Sequence, residues 1–321
     1  MSAVPATEQL AGGRRVRGWF GDRLLVLVTL GASLVAVAAM GLIAYKVVRG
    51  AHLAFSTFGL SFVWGTVWDT NKNVFGAAPG LYGTAVTSLI ALVIAAPLAV
   101  AIALFLSELA PRGVRAIVGS LVEMLAAIPS VVLGLWGILV MGPFVADHIE
   151  PWLHRWFGFI PIFSGDPSSS GIFVAGLILA IMVVPIVASV CRELFLSVPG
   201  ELEEGALALG ATRWEMVRGV ILPSSRPGIA AAIILGLGRA LGEAIAVTQV
   251  IGAGWVIPKS LFVPGDTLAS RIAGQYQNAV SKLQISSLFY LAAILLVIGL
   301  VTNLLAQLIV RRFEFQRTGG S

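Results

Sequence analysis

Three ionisable residues stand inside long apolar stretches of the sequence: Glu123, Arg239 and Glu243. Arg239 and Glu243 are four residues apart, so on a helix they share a face and can form an ion pair. A charge within a bilayer is costly unless it is paired or hydrated, so both should face a bundle interior. The planar guanidinium of Arg239 suits a passing oxyanion, with Glu243 holding and releasing it. A purely structural ion pair explains the same spacing.

Glu123 complicates this interpretation because, with Arg239 and Glu243, it makes the membrane interior net negative when all three ionise. Either Glu123 is protonated, or it pairs with another subunit, or the three residues gate a route without binding its substrate. Two hydroxyl residues, Ser130 and Thr248, lie close to these charges in sequence. They could line a hydrated path, or they could bond to neighbouring helices.

Other chemistries find little support in the sequence. One cysteine excludes a disulfide within the chain, and three scattered histidines offer no metal-ligand cluster, so we expect no metal and no cofactor. No phosphate-binding G-x-x-x-x-G-K-[ST] loop is present. A membrane enzyme using Glu123 and Glu243 as acid and base would lack a nearby nucleophile. The net charge of +5 comes from residues that flank apolar spans, which does not imply nucleic acid.

The elements that must position these residues are membrane-spanning helices. Hydrophobic residues make up 58% of the 321 residues, charged residues only 12%, and the mean hydropathy is +0.94. Because backbone groups in lipid must be satisfied within each segment, we predict an all-α integral membrane protein. Six apolar runs reach the roughly 20 residues that a span needs. They are about 24–48, 82–107, 114–141, 171–196, 227–253 and 285–310. Pro97, Pro129 and Pro185 are expected to kink or hinge their helices, unless they are simply tolerated.

The distribution of basic residues predicts the orientation. Of the 21 lysines and arginines, thirteen flank the spans on one side, seven lie on the other, and Arg239 lies within a span. The positive-inside bias therefore predicts that both termini and the stretch Glu201–Pro223 are cytoplasmic.

The stretch Glu201–Pro223 is too short to span and too apolar for a free linker. Its acidic start favours a short helix to about Leu209, and Gly210 permits a turn. Thr212 and Glu215 then form a T-x-x-E capping box that begins a second short helix, which we expect Pro223 to end. The stretch is either a docking surface for a soluble partner or an interfacial helix.

This stretch resembles the EAA loop of binding-protein-dependent ABC importer permeases. Gly205 and Val220 replace an alanine and an isoleucine of that pattern. In that family the loop couples to an ATPase subunit, which implies a coupling role for the matching and neighbouring positions. These positions are Glu204, Ala206, Gly210, Thr212, Arg213, Trp214, Leu222 and Pro223.

A longer resemblance, from about residue 82 onward, is to the PstC-type permeases of phosphate importers. It is carried by FLSE (105–108), AIPSVVLGLWG (127–137), VPIVASVCRELFLSVP (184–199) and GRALGEAIAVTQVIG (238–252). The resemblance implies a type I ABC importer permease fold in a bacterial cell membrane, without catalytic activity of its own. It also implies Arg239 and Glu243 as pathway residues.

The implied partners are a second homologous permease in a heterodimer, two ATP-binding subunits, an external phosphate-binding protein and membrane lipid. The remaining alternatives are a self-sufficient secondary transporter or channel, and an ABC permease for another oxyanion.

The predicted organisation follows from the spans and the loop. We expect a cytoplasmic tail at 1–20, a first span with its outer loop at 21–81, a five-helix core at 82–312 and a cytoplasmic tail at 313–321. The EAA loop occupies 199–223 within the core.

Overall fold

A computed structural model describes residues 11–318, and the side chains of residues 22–308. Within these residues six helical segments are long and apolar enough to cross a membrane. They are Asp22–Phe58, Ala78–Leu109, Ser130–Phe157, Ile172–Leu196, Arg213–Gly242 and Lys282–Leu308. The prediction of an all-α membrane fold with six spans is confirmed.

The α-helices of the described residues are α1 (Ala11–Phe58), α2 (Ser61–Trp64), α3 (Ala78–Leu104), α4 (Arg112–Ala127), α5 (Ser130–Trp136), α6 (Gly142–Phe144), α7 (Glu150–Phe157), α8 (Ile172–Leu196), α9 (Gly200–Ala208), α10 (Arg213–Met216), α11 (Leu222–Gly242), α12 (Ile245–Val250), α13 (Leu268–Gln275) and α14 (Lys282–Thr318). Short π-helical segments continue several of them, at Phe105–Leu109, Gly137–Met141, Val145–Ile149 and Val217–Ile221. Single 3₁₀ turns occupy Pro161–Phe163 and Tyr276–Asn278. Two strands, β1 (Trp68–Asp69) and β2 (Val74–Phe75), form an antiparallel hairpin in which Trp68 pairs with Phe75.

The chain divides into two compact units, Met1–Arg49 and Gly50–Ser321. Most of α1 belongs to the first unit. Helix α1 begins at Ala11, inside the expected N-terminal tail, and residues 1–10 lie outside the described range. Helix α14 likewise runs to Thr318, inside the expected C-terminal tail, and residues 319–321 lie outside the described range. The boundaries of the predicted parts stay a prediction.

The core of the second unit is built around α8, which packs against α3, α4 and α11. Helix α3 presents a fully buried stripe of alanines at four-residue intervals: Ala91, Ala95, Ala99 and Ala103. Small residues at this spacing let two helix backbones approach closely, which is how membrane helices gain packing energy. On α8, Gly176 serves the same contact, because a Cβ there would lie 2.6 Å from the Ile90 side chain.

The other side of α8 is covered by α11, which also packs against α14. Gly236 of α11 lies so close to α8 that a Cβ would meet Val183 and Val187 at 2.8 Å. The bundle therefore fixes the height of α11 relative to α8, and α11 is the helix that carries Arg239.

The prediction of a third span at 114–141 is wrong in its boundaries. Helix α4 ends at Ala127, Ile128 is extended with ψ 127°, and α5 begins after Pro129. A residue before proline is forced out of the helical region, which explains the interruption. The span itself runs over Ser130–Phe157, so α4 is a separate helix. Pro97 and Pro185, by contrast, lie inside the uninterrupted helices α3 and α8.

The fifth span also differs from its predicted range of 227–253. It begins much earlier, at Arg213, and ends at Gly242. Glu243 is extended with ψ 114°, and the short helix α12 follows. The expectation that Pro223 ends the second short helix is wrong, because Pro223 lies at the start of α11, where a missing N–H is tolerated.

Candidate functional site

The Arg239 and Glu243 side chains form an ion pair, with Nη2 of Arg239 3.3 Å from Oε2 of Glu243. Arg239 lies in the last turn of α11, and Glu243 occupies the break that follows. The other carboxylate oxygen, Oε1, accepts a hydrogen bond of 3.3 Å from the backbone N–H of Ala246 on α12. The Arg239 side chain is 48% exposed, whereas that of Glu243 is 6% exposed. The carboxylate is thus fixed in the protein, and the guanidinium is the accessible member of the pair.

Arg239 lines a cavity of about 230 Å³ where α4, α5, α8 and α11 meet. Its walls include Met182 and Ile186, which lie near the middle of α8, so Arg239 sits at mid-height in the bundle. Arg239 is the charged residue in a lining that is otherwise apolar: Leu125, Ala126, Ile128, Leu133, Met182 and Ile186. The guanidinium of Arg239 is thus the charged group that this cavity offers to a small anion.

Glu123 is not part of this cavity. It lies on α4, its side chain is 69% exposed, and its Oε1 is 3.8 Å from Nη1 of Arg192 on α8. The expectation that Glu123 lies within the third span is therefore wrong, because α4 precedes that span. The pairing with Arg192 also answers the concern about a net negative interior. The sequence gives no signal that α4 folds back beside α8, so this pairing is not predictable from it.

Each of the two hydroxyl residues lies in the short helix that follows one of the helix breaks. Ser130 is the first residue of α5 and is half-buried. Thr248, on α12, donates from Oγ1 to the carbonyl of Ala244 at 2.6 Å and contacts the carbonyl of Ser270 at 3.5 Å. Thr248 therefore bonds to the backbone in this state, which favours the structural reading of that residue. The structure thus brings Arg239 and Glu243 together, whereas Glu123 pairs with Arg192 and Thr248 bonds to backbone carbonyls.

The EAA-like stretch at 199–223, called the coupling segment below, contains the two short helices α9 and α10 at one end of the bundle. Helix α9 ends at Ala208, and Gly210, two residues later, is left-handed with a φ of +86°. The N–H of Ala211 donates to the carbonyl of Ala206, and that of Gly210 to Leu207, at 3.1 and 3.0 Å. This pair of bonds is a Schellman motif, which glycine permits without strain. Glu204 is exposed, and Ala206 packs against the main core.

The capping box predicted at Thr212 is confirmed. The Thr212 hydroxyl accepts from the N–H of Glu215 at 3.3 Å, and the Glu215 carboxylate accepts from the N–H of Thr212 at 2.8 Å. Next to the cap, Arg213 reaches the carbonyl of Glu108 at 3.5 Å.

The two short helices combine a buried side with exposed apolar side chains. Met216 and Val217 are buried, and Leu222 packs against the main core. Trp214 is 65% exposed and Leu209 is 91% exposed. Large apolar side chains that stay exposed on a segment of two capped helices are the feature expected of a contact surface.

These features together define a multi-pass membrane protein that has a charged pair at mid-height and a protruding segment of two short helices at one end. Residues 99–315 match the family model described as the binding-protein-dependent transport system inner membrane component. The chain belongs to this family, and within it to the PstC-type permeases.

The relatives that establish this membership cover most of the chain. It is 45% identical to the phosphate transport system permease protein PstC of Pasteurella multocida, over 84% of this chain and 85% of that protein. It is 39% identical to the protein of the same name from Mesorhizobium japonicum, over 99% and 98% of the two chains.

Solved structures confirm the fold. A chain of a bacterial alginate ABC transporter, in complex with an alginate-bound periplasmic protein, matches with a TM-score of 0.58. The identity is 20%, and the match covers 88% of this chain and 94% of that one. The predicted type I ABC importer permease fold is confirmed.

Proposed function

We propose that this chain is the permease subunit of an ATP-driven importer of inorganic phosphate and forms half of the translocation route. The observation that carries the proposal is Arg239, a half-exposed arginine at mid-height in an otherwise apolar cavity. The names of the PstC relatives support phosphate as the substrate. A guanidinium offers two parallel N–H donors to a phosphate, which few other side chains do.

Glu243 gives Arg239 an alternative partner. The carboxylate is buried and held by the N–H of Ala246, so it stays in place while the exposed guanidinium moves. Phosphate then competes with Glu243 for the same donors, which keeps binding weak enough for release. We therefore assign Arg239 to substrate contact and Glu243 to positioning and release. Ser130 and Thr248 flank this site, and Glu123 stabilises α4 through Arg192.

Coupling to a motor follows from the course of the fifth span. Helix α10, the π-helical segment and α11 form one continuous helical segment, Arg213–Gly242. It begins in the coupling segment beside Trp214 and ends one turn after Arg239. At 1.5 Å per residue the two residues are about 37 Å apart along the axis. A displacement of the coupling segment by an ATPase subunit would move Arg239 as part of the same helix.

The complete transporter in this proposal contains a second, homologous permease, two ATP-binding subunits and an external phosphate-binding protein, all in a bacterial cell membrane with lipid. Both termini and the coupling segment are cytoplasmic, which the excess of basic residues on that side supports. The coupling residues are those of the EAA-like segment at 199–223. Residues 1–20 and 313–321 are terminal tails, 21–81 is the first span with its outer loop, and 82–312 is the permease core.

The test is phosphate uptake by the complete complex in proteoliposomes. Arg239→Ala removes one or two charge-assisted hydrogen bonds, which predicts a loss of roughly ten- to a hundredfold in uptake. Arg226→Ala, an exposed arginine on the same helix, is the matched control and should transport normally. Gel filtration checks that both variants assemble. Normal uptake by an assembled Arg239→Ala complex would refute the assignment.

A further inference from the structure

A second arginine–carboxylate pair lies at the other end of the bundle. Asp266 precedes α13 and Arg271 lies within it, with Nε of Arg271 2.8 Å from Oδ2 of Asp266. Both side chains are buried, with 8% of Arg271 and 4% of Asp266 exposed. Burial raises the pKa of Asp266 and lowers the pKa of Arg271, because each charged form is taken out of water. Removing two charges from water costs free energy, so a buried ion pair at this position is expected to have a function.

The protein uses only part of the hydrogen-bonding capacity of Arg271. Its Nε lies against the Asp266 carboxylate, whereas its Nη2 is buried and has no acceptor. Asp266 is better satisfied: its Oδ1 accepts from the N–H of Thr267 at 2.9 Å and from the Ser270 hydroxyl. A purely structural pair would be expected to satisfy both partners. Here the Asp266 carboxylate is held by hydrogen bonds, whereas the guanidinium of Arg271 keeps N–H groups that have no acceptor.

Two tryptophans cover the guanidinium. Its central carbon lies 4.2 Å from the ring centroid of Trp255 and 5.8 Å from that of Trp68. Stacking on aromatic faces holds the plane of an arginine without consuming its N–H groups. The fork formed by the guanidinium N–H groups is therefore oriented toward an acceptor that lies in the plane of the guanidinium. A tetrahedral oxyanion is the acceptor that such a fork takes with two parallel bonds.

The segment that carries Asp266 and Arg271 contacts the helices that form the proposed translocation route. A Cβ on Gly83 of α3 would overlap the carbonyl of Asp266, and the Thr84 hydroxyl accepts from the N–H of Leu268 at 3.0 Å. On the other side, Thr248 of α12 contacts the carbonyl of Ser270. Since α12 begins two residues after Glu243, this helix links the two arginine–carboxylate pairs.

We propose that Arg271 is a second oxyanion-binding residue of this permease. The Arg271 guanidinium exchanges its contact with Asp266 for one with phosphate, at the end of the route opposite the coupling segment. The inference rests on the proposed function, since it names a further binding residue for the same substrate. In the present state Trp255 and Trp68 close over the guanidinium, so binding requires the segment that carries Trp255 to move aside. Asp266 then acts as the resting partner of Arg271, as Glu243 does for Arg239.

The experiment compares Arg271→Gln, Asp266→Asn and the double variant in the complete reconstituted complex, measuring uptake of radiolabelled phosphate and ATP hydrolysis without phosphate. We expect Arg271→Gln to lower uptake at least about tenfold with basal hydrolysis retained. Asp266→Asn should keep most of its uptake, because Arg271 stays available. The double variant should be as deficient as Arg271→Gln. Lys259→Gln, an exposed cation close by in sequence, is the matched control and should behave as wild type.

A merely structural pair gives the opposite pattern. Both single variants would then be equally deficient, since each leaves a buried charge unpaired, and the neutral double variant would recover uptake. That result would overturn the inference. If Arg271→Gln does not assemble, Arg271→Lys keeps the charge without the fork, and wild-type uptake by it would equally overturn the inference. Failure of the wild-type complex to transport phosphate would instead refute the proposed function, so the two failures are distinguishable.

Discussion

Two glycines in the coupling segment predict opposite responses to the same substitution. Gly205 lies within α9, and Gly210 follows the end of that helix with a φ of +86°. A Cβ built on either residue meets no atom within 4 Å, so packing does not enter the comparison. The difference between Gly205→Ala and Gly210→Ala is therefore a matter of backbone conformation alone.

The magnitudes follow from the backbone conformations. Alanine in place of glycine inside a helix is worth up to about 1 kcal/mol, so Gly205→Ala should stabilise α9 and slow its local opening about fivefold. A left-handed conformation costs a residue with a Cβ roughly 1–2 kcal/mol, so Gly210→Ala should speed opening roughly five- to thirtyfold. The Schellman bonds at the end of α9 should be the first to exchange.

The assay is amide hydrogen exchange of α9 in the assembled complex, followed by phosphate-stimulated ATP hydrolysis. Gly205→Ala should protect the α9 amides and preserve stimulation, whereas Gly210→Ala should expose them and weaken stimulation. Gly113→Ala, in α4, where a Cβ also meets nothing within 4 Å, is the control for the same substitution in a helix outside the coupling segment. Faster exchange in Gly205→Ala, or unchanged exchange in Gly210→Ala, would refute the reasoning.

Two further predictions concern the helix contact at the site and the charge of the coupling segment. Gly134→Ala should lower phosphate uptake and cost about 1–3 kcal/mol of stability. The reason is that the added Cβ would lie 2.8 Å from the Ala246 Cα, which cannot move without displacing α12. Unchanged uptake would contradict this. The pKa of Glu203 is raised, first by burial and then by Glu108 and Glu204. A carboxyl with a raised pKa gives its stability at low pH and loses it as pH rises through that pKa, so Glu203→Gln should melt higher than wild type at neutral pH. That advantage should vanish below the ordinary pKa of 4.5, and an advantage independent of pH would argue against the repulsion.

The helical class, the number of spans and the capping box at Thr212 were all readable from the sequence, because each rests on local pattern. Hydropathy over some 20 residues suffices for a span. A T-x-x-E motif suffices for a cap, since its hydrogen bonds join residues three apart. The Arg239–Glu243 pair was readable for the same reason, as its members are one helical turn apart.

What sequence could not supply were the two breaks and the contacts between distant helices. The chain stays apolar across Ile128 and across Glu243, so hydropathy alone joins a span to the separate short helix beside it. Pro129 did carry a signal for the first break, but proline is common enough in membrane helices to leave the outcome open. The pairing of Glu123 with Arg192 joins α4 to α8, and no periodicity within either helix indicates it.

In the proposed mechanism, the driving force for transport enters from a separate ATPase through the coupling segment that contains Trp214. The most direct test is phosphate accumulation in proteoliposomes that contain either the complete complex or this chain alone, with and without ATP on the side of the coupling segment. We expect phosphate to accumulate only with the complete complex and only in the presence of ATP. Phosphate movement by this chain alone in the absence of ATP would contradict it.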